Sequence, residues 1–227
     1  MRILHDFAHT DRPAKSLVIL LPGALQQPED FVAAGFIAAL RQRRLPIDLT
    51  LVDLGIDYIG ETTNGSTLQR IDTELMQAAR RQHYHDIWLG GISIGGLIAI
   101  AYADRYPGQV DGLCLLSPYP GNRMLLREIE AAGGLDQWPA DAIEDEDAER
   151  RMWRWLQARK EPACIHLGYG SQDRFAPGLE QVAAALATQH VDTIPGGHDW
   201  PTWAKLWENF LDQTFPNLRP DTGKTAE

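Results

Sequence analysis

With 227 residues the chain fits one domain large enough to bury a substantial core. A composition of 44% hydrophobic and 23% charged residues excludes wholesale disorder and a fibrous design. The formal charge of −10 argues against nucleic acid as a partner, because phosphate binding needs clustered Lys and Arg.

The N-terminal stretch MRILHDFAHTDRPAK lacks an apolar signal-type region, and the run SLVILL that follows is too short to span a bilayer. A soluble cytoplasmic protein with no membrane partner is the expectation. Short apolar runs then alternate with segments of helical period. Strands are predicted over 16–22, 47–54, 86–92, 110–117, 163–169 and 191–195, with helices near 29–43, 66–82, 94–106, 176–189 and 201–214. This alternation implies an α/β fold, with a mostly parallel central sheet covered by helices on both faces. Residues 120–160 interrupt it with a charged, Trp-containing stretch read as two or more helices, placed where a lid would sit. The chain thus divides into a core of 1–119 and 161–216, a helical lid insertion of 120–160, and a polar tail of 217–227 expected to fray.

Two cysteines, Cys114 and Cys164, fall in apolar runs and read as reduced, buried core residues. The acidic run 141–149 reads as a solvated face. His83 and His85 form a His-x-His pair with no third ligand at a recognisable spacing, so a helix-end surface pair is expected and no metal site.

One stretch carries chemistry. In DIWLGGISIGGLIAIAYADRYP, Gly91-Ile92-Ser93-Ile94-Gly95 matches Gly-x-Ser-x-Gly, with a predicted strand before it and a predicted helix after. The serine backbone in such a turn is strained, and glycine two residues either side keeps side chains from colliding. A phosphate loop would continue from Gly96 with Lys and Ser or Thr, whereas Leu97 and Ile98 follow. A dinucleotide fingerprint fails too, since neither Gly90 nor Gly91 has glycine two places later. No cofactor is implied.

With this turn the chain resembles an α/β-hydrolase from Leu17 to about Phe215. The resemblance implies a nucleophile, acid and histidine in that chain order. Asp173, in GSQDRFAP after one strand, and His198, in VDTIPGGHDWP after the next, stand at the matching positions. Parallel strands direct these loops to one sheet edge, so Ser93, Asp173 and His198 can converge. Capping the helix that begins APGLEQVAAALA is the alternative role for Asp173, and Asp199 is a poor rival for the acid role because adjacent side chains in a tight loop rarely face each other. The resemblance also implies an oxyanion hole from the backbone N–H of Ile94 and a second donor after the first central strand. There the family usually has His-Gly where this chain has Pro22-Gly23, which makes Ala24 the carried-over donor and Leu25 the alternative.

Trp138, Trp153 and Trp155 either wall a substrate pocket or pack the insertion onto the core, while Trp200 and Trp203 are expected to pack the last helix on the sheet. Arg174 is read as a surface ion pair, with an anionic substrate group as the alternative. The implied activity is hydrolysis of a small-molecule carboxylic ester through an acyl-enzyme, as in small carboxylesterases. Acyl-thioester hydrolysis, or a catalytically idle ligand-binding protein of the same fold, are the alternatives.

Overall fold

The structure, a computed structural model, describes residues 1–55, 65–140, 143, 147–158, 164–186 and 190–216. The strands are β1 (Arg2–Asp6), β2 (Ser16–Leu21), β3 (Ile47–Asp53), β4 (Asp86–Ile92), β5 (Gly112–Leu116), β6 (Cys164–Gly170) and β7 (His190–Ile194). They form one sheet in the order β1-β3-β2-β4-β5-β6-β7. β1 runs antiparallel to β3, and every other pairing is parallel. The sheet therefore grows outward in both directions from the β2–β4 pair, and the crevice above a reversal of this kind is where open α/β sheets place their sites.

The helices are α1 (Pro28–Ala33), α2 (Phe36–Gln42), α3 (Ser66–Arg70), α4 (Gln77–Arg81), α5 (Ile94–Arg105), α6 (Arg123–Ala131), α7 (Ala148–Ala158), α8 (Ala176–Ala185) and α9 (Trp200–Thr214). Central strands are apolar on both faces because helices cover both. In β2, Leu17, Ile19 and Leu21 join a core with α3 to α8, whereas Val18 and Leu20 join a second core with α1, α2 and α9.

Several expectations change. β1 was not predicted, because its five residues lie at the sheet edge and none is fully buried. The helix expected over 29–43 is divided at Gly35, whose φ of +86° is left-handed. Between α3 and α4 the chain makes a π-helical stretch, Ile71–Met76, within which the Thr73 hydroxyl donates to the Gln69 carbonyl at 2.9 Å. Cys164 is exposed, because it is the first residue of β6, at the strand's open N-terminal end, while Cys114 is buried; both are free thiols. The predicted tail, 217–227, lies outside the described residues, as do 187–189 of the last-but-one predicted helix and most of the acidic run.

The insertion shares the first core: Leu125, Ile129, Met152, Trp153, Trp155 and Leu156 are buried in it. Asp104 on α5 accepts from both Arg151 and Arg154 of α7, at 2.9 Å each in the closest approach, and Arg151 is itself buried. That pairing ties the insertion to the helix that follows Ser93. All three insertion tryptophans are almost fully buried and pack onto the core, with Trp153 also lining a cavity between α6, α7 and α8. Trp138 donates its ring N–H to Glu128, and Trp153 donates to the Pro120 carbonyl at 2.8 Å. Among the described residues no helix is long and apolar enough to cross a membrane.

Candidate active site

β4 ends at Ile92, and the chain turns at once into α5 with Ser93 as its N-cap residue. Ser93 has φ 54° and ψ −118°, a strained conformation for a residue with a side chain. The flanking glycines explain how the turn is tolerated. A Cβ on Gly91 would lie 2.6 Å from the Leu21 carbonyl oxygen, and one on Gly95 would lie 2.6 Å from that of Pro22. The bend is thus pressed against the end of β2, where no side chain fits. It holds the serine hydroxyl above the sheet edge, at the start of α5, whose first N–H groups have no partner inside the helix.

The structure brings the three distant residues together. The hydroxyl Oγ of Ser93 lies 3.0 Å from Nε2 of His198, and Nδ1 of His198 lies 2.7 Å from Oδ2 of Asp173. With the proton of the neutral imidazole on Nδ1, His198 donates to the carboxylate and Ser93 donates to Nε2. Asp173 reaches this position because β6 ends at Gly170 and the next turn folds back, its N–H donating to the Gly170 carbonyl at 3.0 Å. Its second oxygen, Oδ1, accepts from the Phe175 N–H at 2.8 Å, so local turn-capping and the histidine contact use different oxygens of one carboxyl. Burial pushes the Asp173 carboxyl up, but hydrogen bonds from His198 and the Phe175 N–H outweigh it and hold the group below the usual carboxylate range. It is therefore ionised at neutral pH. The Ser117 hydroxyl is buried near the same carboxyl but makes no hydrogen bond of ordinary geometry. Asp199 is occupied as the cap of α9, where it accepts from the Thr202 N–H at 3.1 Å and the Thr202 hydroxyl at 2.7 Å.

The imidazole is framed by aromatic rings that the sequence did not single out for this purpose. Phe175 and Trp203 each meet it edge-on with centroids 5.0 Å apart, and Tyr119 meets Phe175 at 5.2 Å. The Tyr119 N–H donates to the Ser93 carbonyl at 2.8 Å, which fastens the loop after β5 to the serine turn. Trp200 meets Phe31 of α1 and Phe36 of α2 edge-on, so its ring contacts are with these helices rather than with the sheet as expected.

The loop after β2 forms a tight turn in which the Gln26 N–H donates to the Gly23 carbonyl at 3.2 Å. The Gln26 side chain closes the turn from the other end, its Oε1 accepting from the Gly23 N–H at 2.7 Å. Leu25 takes φ 62° in this turn, and both Ala24 and Leu25 are exposed. Ile94, the other predicted oxyanion donor, is the first residue of α5.

The expected surface ion pair of Arg174 does not form with any described residue; its guanidinium carbon lies 4.8 Å above the centroid of the Phe175 ring instead. His83 is exposed, and His85 faces its neighbour Asp86 at 2.9 Å. Among the described residues no group of three or more potential ligands could hold a metal ion. A cavity of about 460 Å³ lies between α6, α7 and α8, but none of Ser93, Asp173 and His198 lines it. Trp153 is part of its wall.

Residues 67–145 match the profile of a family described as "Serine aminopeptidase, S33", a span that contains Ser93 and ends before Asp173. No curated protein matches the chain. Among solved structures, Est1E from Butyrivibrio proteoclasticus is similar at a TM-score of 0.66 and 18% identity, covering 95% of this chain and 93% of that one. S-formylglutathione hydrolase from Staphylococcus aureus gives 0.64 and 14%, covering 90% and 82%. A monoacylglycerol lipase from Paleococcus ferrophilus gives 0.60 and 14%, covering 94% and 98%. At such identities the likeness is one of fold.

Proposed function

From the α/β-hydrolase fold that this chain has, we propose that the protein is a serine esterase that hydrolyses a small-molecule carboxylic ester through an acyl-enzyme. The observation that carries the reading is the unbroken relay from Asp173 through His198 to Ser93, with contacts of 2.7 and 3.0 Å. A serine hydroxyl is a weak nucleophile at neutral pH. As Ser93 Oγ attacks the ester carbonyl, His198 Nε2 takes its proton, and the ionised Asp173 carboxylate stabilises the imidazolium and fixes its tautomer. The tetrahedral oxyanion accepts hydrogen bonds from the N–H groups of Ile94 and Ala24, one from each side of the β2–β4 crevice. Collapse breaks the carbon–oxygen bond to the alcohol, which leaves with the proton returned by His198. Water, deprotonated by the same nitrogen, then attacks the acyl carbon; the bond to Ser93 Oγ breaks, His198 returns the proton to that oxygen, and the carboxylic acid leaves. Every group needed for these steps belongs to the chain, so no cofactor is required.

Structures of similar fold support an ester as substrate: Est1E has been solved with ferulic acid bound, and others are described as a ferulic acid esterase and a monoacylglycerol lipase. The test is rapid-mixing turnover of a short-chain aryl ester. A burst of alcohol stoichiometric with enzyme, followed by a slower steady state and lost in Ser93→Ala, is the expected result when deacylation is slower than acylation. Steady turnover that persists in Ser93→Ala would overturn the reading.

A further inference from the structure

The rim of the site carries a cation that the proposed chemistry does not use. Arg174 directly follows Asp173, is exposed, and lays its guanidinium over one face of Phe175 at 4.8 Å. Phe175 in turn meets the His198 ring at 5.0 Å. A single aromatic ring therefore separates the guanidinium from the imidazole, and the two ring contacts place it within about 10 Å of the His198 ring.

That no described carboxylate pairs with it is informative in this chain, where 31 acidic residues outnumber 21 basic ones. Elsewhere on the surface Arg2 lies against Glu29, Arg41 against Asp6, Arg43 against Asp212 and Arg150 against Glu128. Arg174 pairs with no carboxylate among the described residues. The carboxylate beside it in sequence is committed elsewhere, with one oxygen on His198 and the other on the Phe175 N–H. Stacking on a ring orders a guanidinium and strips water from one face, yet leaves its planar fork of N–H donors pointing outward. Such a fork matches a carboxylate or phosphate in a way that an ammonium does not.

We propose that Arg174, held on Phe175, is a specificity-determining residue that receives an anionic substituent of the ester, so that the preferred substrates carry a negative charge a few bonds from the scissile carbonyl. The inference rests on the serine-esterase reading of the site. Neutral Phe175 keeps the cation off the imidazole, while the rim attracts an anion that the overall charge of −10 would otherwise repel.

The test uses three aryl esters with one leaving group: a neutral acyl chain, a chain of the same length ending in carboxylate, and one ending in phosphate. The readout is the ratio of kcat/KM for each anionic ester to that for the neutral one, in the wild type, Arg174→Gln and Arg174→Lys. The wild-type ratio should exceed one for at least one anion and fall with added salt, and Arg174→Gln should lower it about 5- to 10-fold, chiefly through KM. Arg174→Lys should restore only part of it, since the fork is lost. The carboxylate and phosphate arms identify which anion the fork fits. A wild-type ratio at or below one for both anions, or a ratio unchanged in Arg174→Gln, overturns the proposal while Ser93-dependent turnover of the neutral ester leaves the esterase reading standing. No turnover of any ester would instead remove both.

Discussion

His166 offers a quantitative check on the packing that holds the acid-bearing strand. It lies in β6, four residues before Gly170, is 1% exposed, and neither ring nitrogen has a hydrogen-bond partner. Its ring meets Phe210 edge-on at 5.3 Å, its neighbours in register are Cys114 and His190, and Asp192 is the nearby carboxylate. Burial penalises the charged imidazolium and lowers the group from 6.5 to about 4, with Asp192 opposing and His190 assisting. The folded state therefore binds fewer protons than the unfolded chain between these two values. The associated stability is present above pH 6.5 and is lost as the pH falls towards about 4. At about 1.4 kcal/mol per pH unit, this group alone should cost the wild type about 2 kcal/mol between pH 7 and pH 5. Ordinary carboxylates titrate mostly below that window. Urea unfolding followed by tryptophan fluorescence should show His166→Leu as stable as the wild type or more so at pH 7, because two orphaned polar atoms disappear. At pH 5 the variant should have gained about 2 kcal/mol relative to the wild type. A difference between the two proteins that does not change with pH would refute the reasoning.

Two further predictions concern the site. Asp173→Asn should leave the fold intact yet reduce aryl-ester turnover about 10³- to 10⁴-fold, because the amide no longer stabilises the imidazolium or enforces the tautomer with Nδ1 protonated; activity within tenfold of the wild type would remove Asp173 as the acid. Gln26→Leu opens the clamp on the Gly23 N–H and should lower kcat about 10-fold with little change in KM, whereas Gln26→Glu, which keeps an acceptor oxygen there, should retain more activity. Equal kcat values for Gln26→Leu and the wild type would show that this turn does not position the oxyanion donor.

The sheet was largely legible because its central strands are buried on both faces, so runs such as SLVILL and GLCLL stay apolar without interruption. β1 escaped because RILHD has its charged residues at the ends and sits exposed at an edge, where the hydrophobic pattern weakens. Ser93 stood out by its Gly-x-Ser-x-Gly turn, and Asp173 and His198 by the chain order that the α/β-hydrolase resemblance implies; each follows a strand, and parallel strands send their C-terminal loops to one side. The aromatic frame of the imidazole was not legible in the same way. No motif marks Phe175 or Tyr119, and their contact depends on how the loops after β5 and β6 pack. Ion pairing is equally a matter of placement: Arg174 has an aspartate beside it in sequence, but that carboxylate faces inward to His198. Cys164 shows the same limit in miniature, an apolar run whose first residue falls at the exposed end of its strand.

The proposed mechanism makes Ser93 a nucleophile activated by His198. Incubation with a fluorophosphonate probe, read by intact mass and peptide mapping, measures that reactivity without assuming any substrate. The expected result is a single adduct on Ser93, none in Ser93→Ala, and much slower labelling in His198→Ala. A folded wild-type protein that acquires no adduct, or one modified equally in Ser93→Ala, would contradict it.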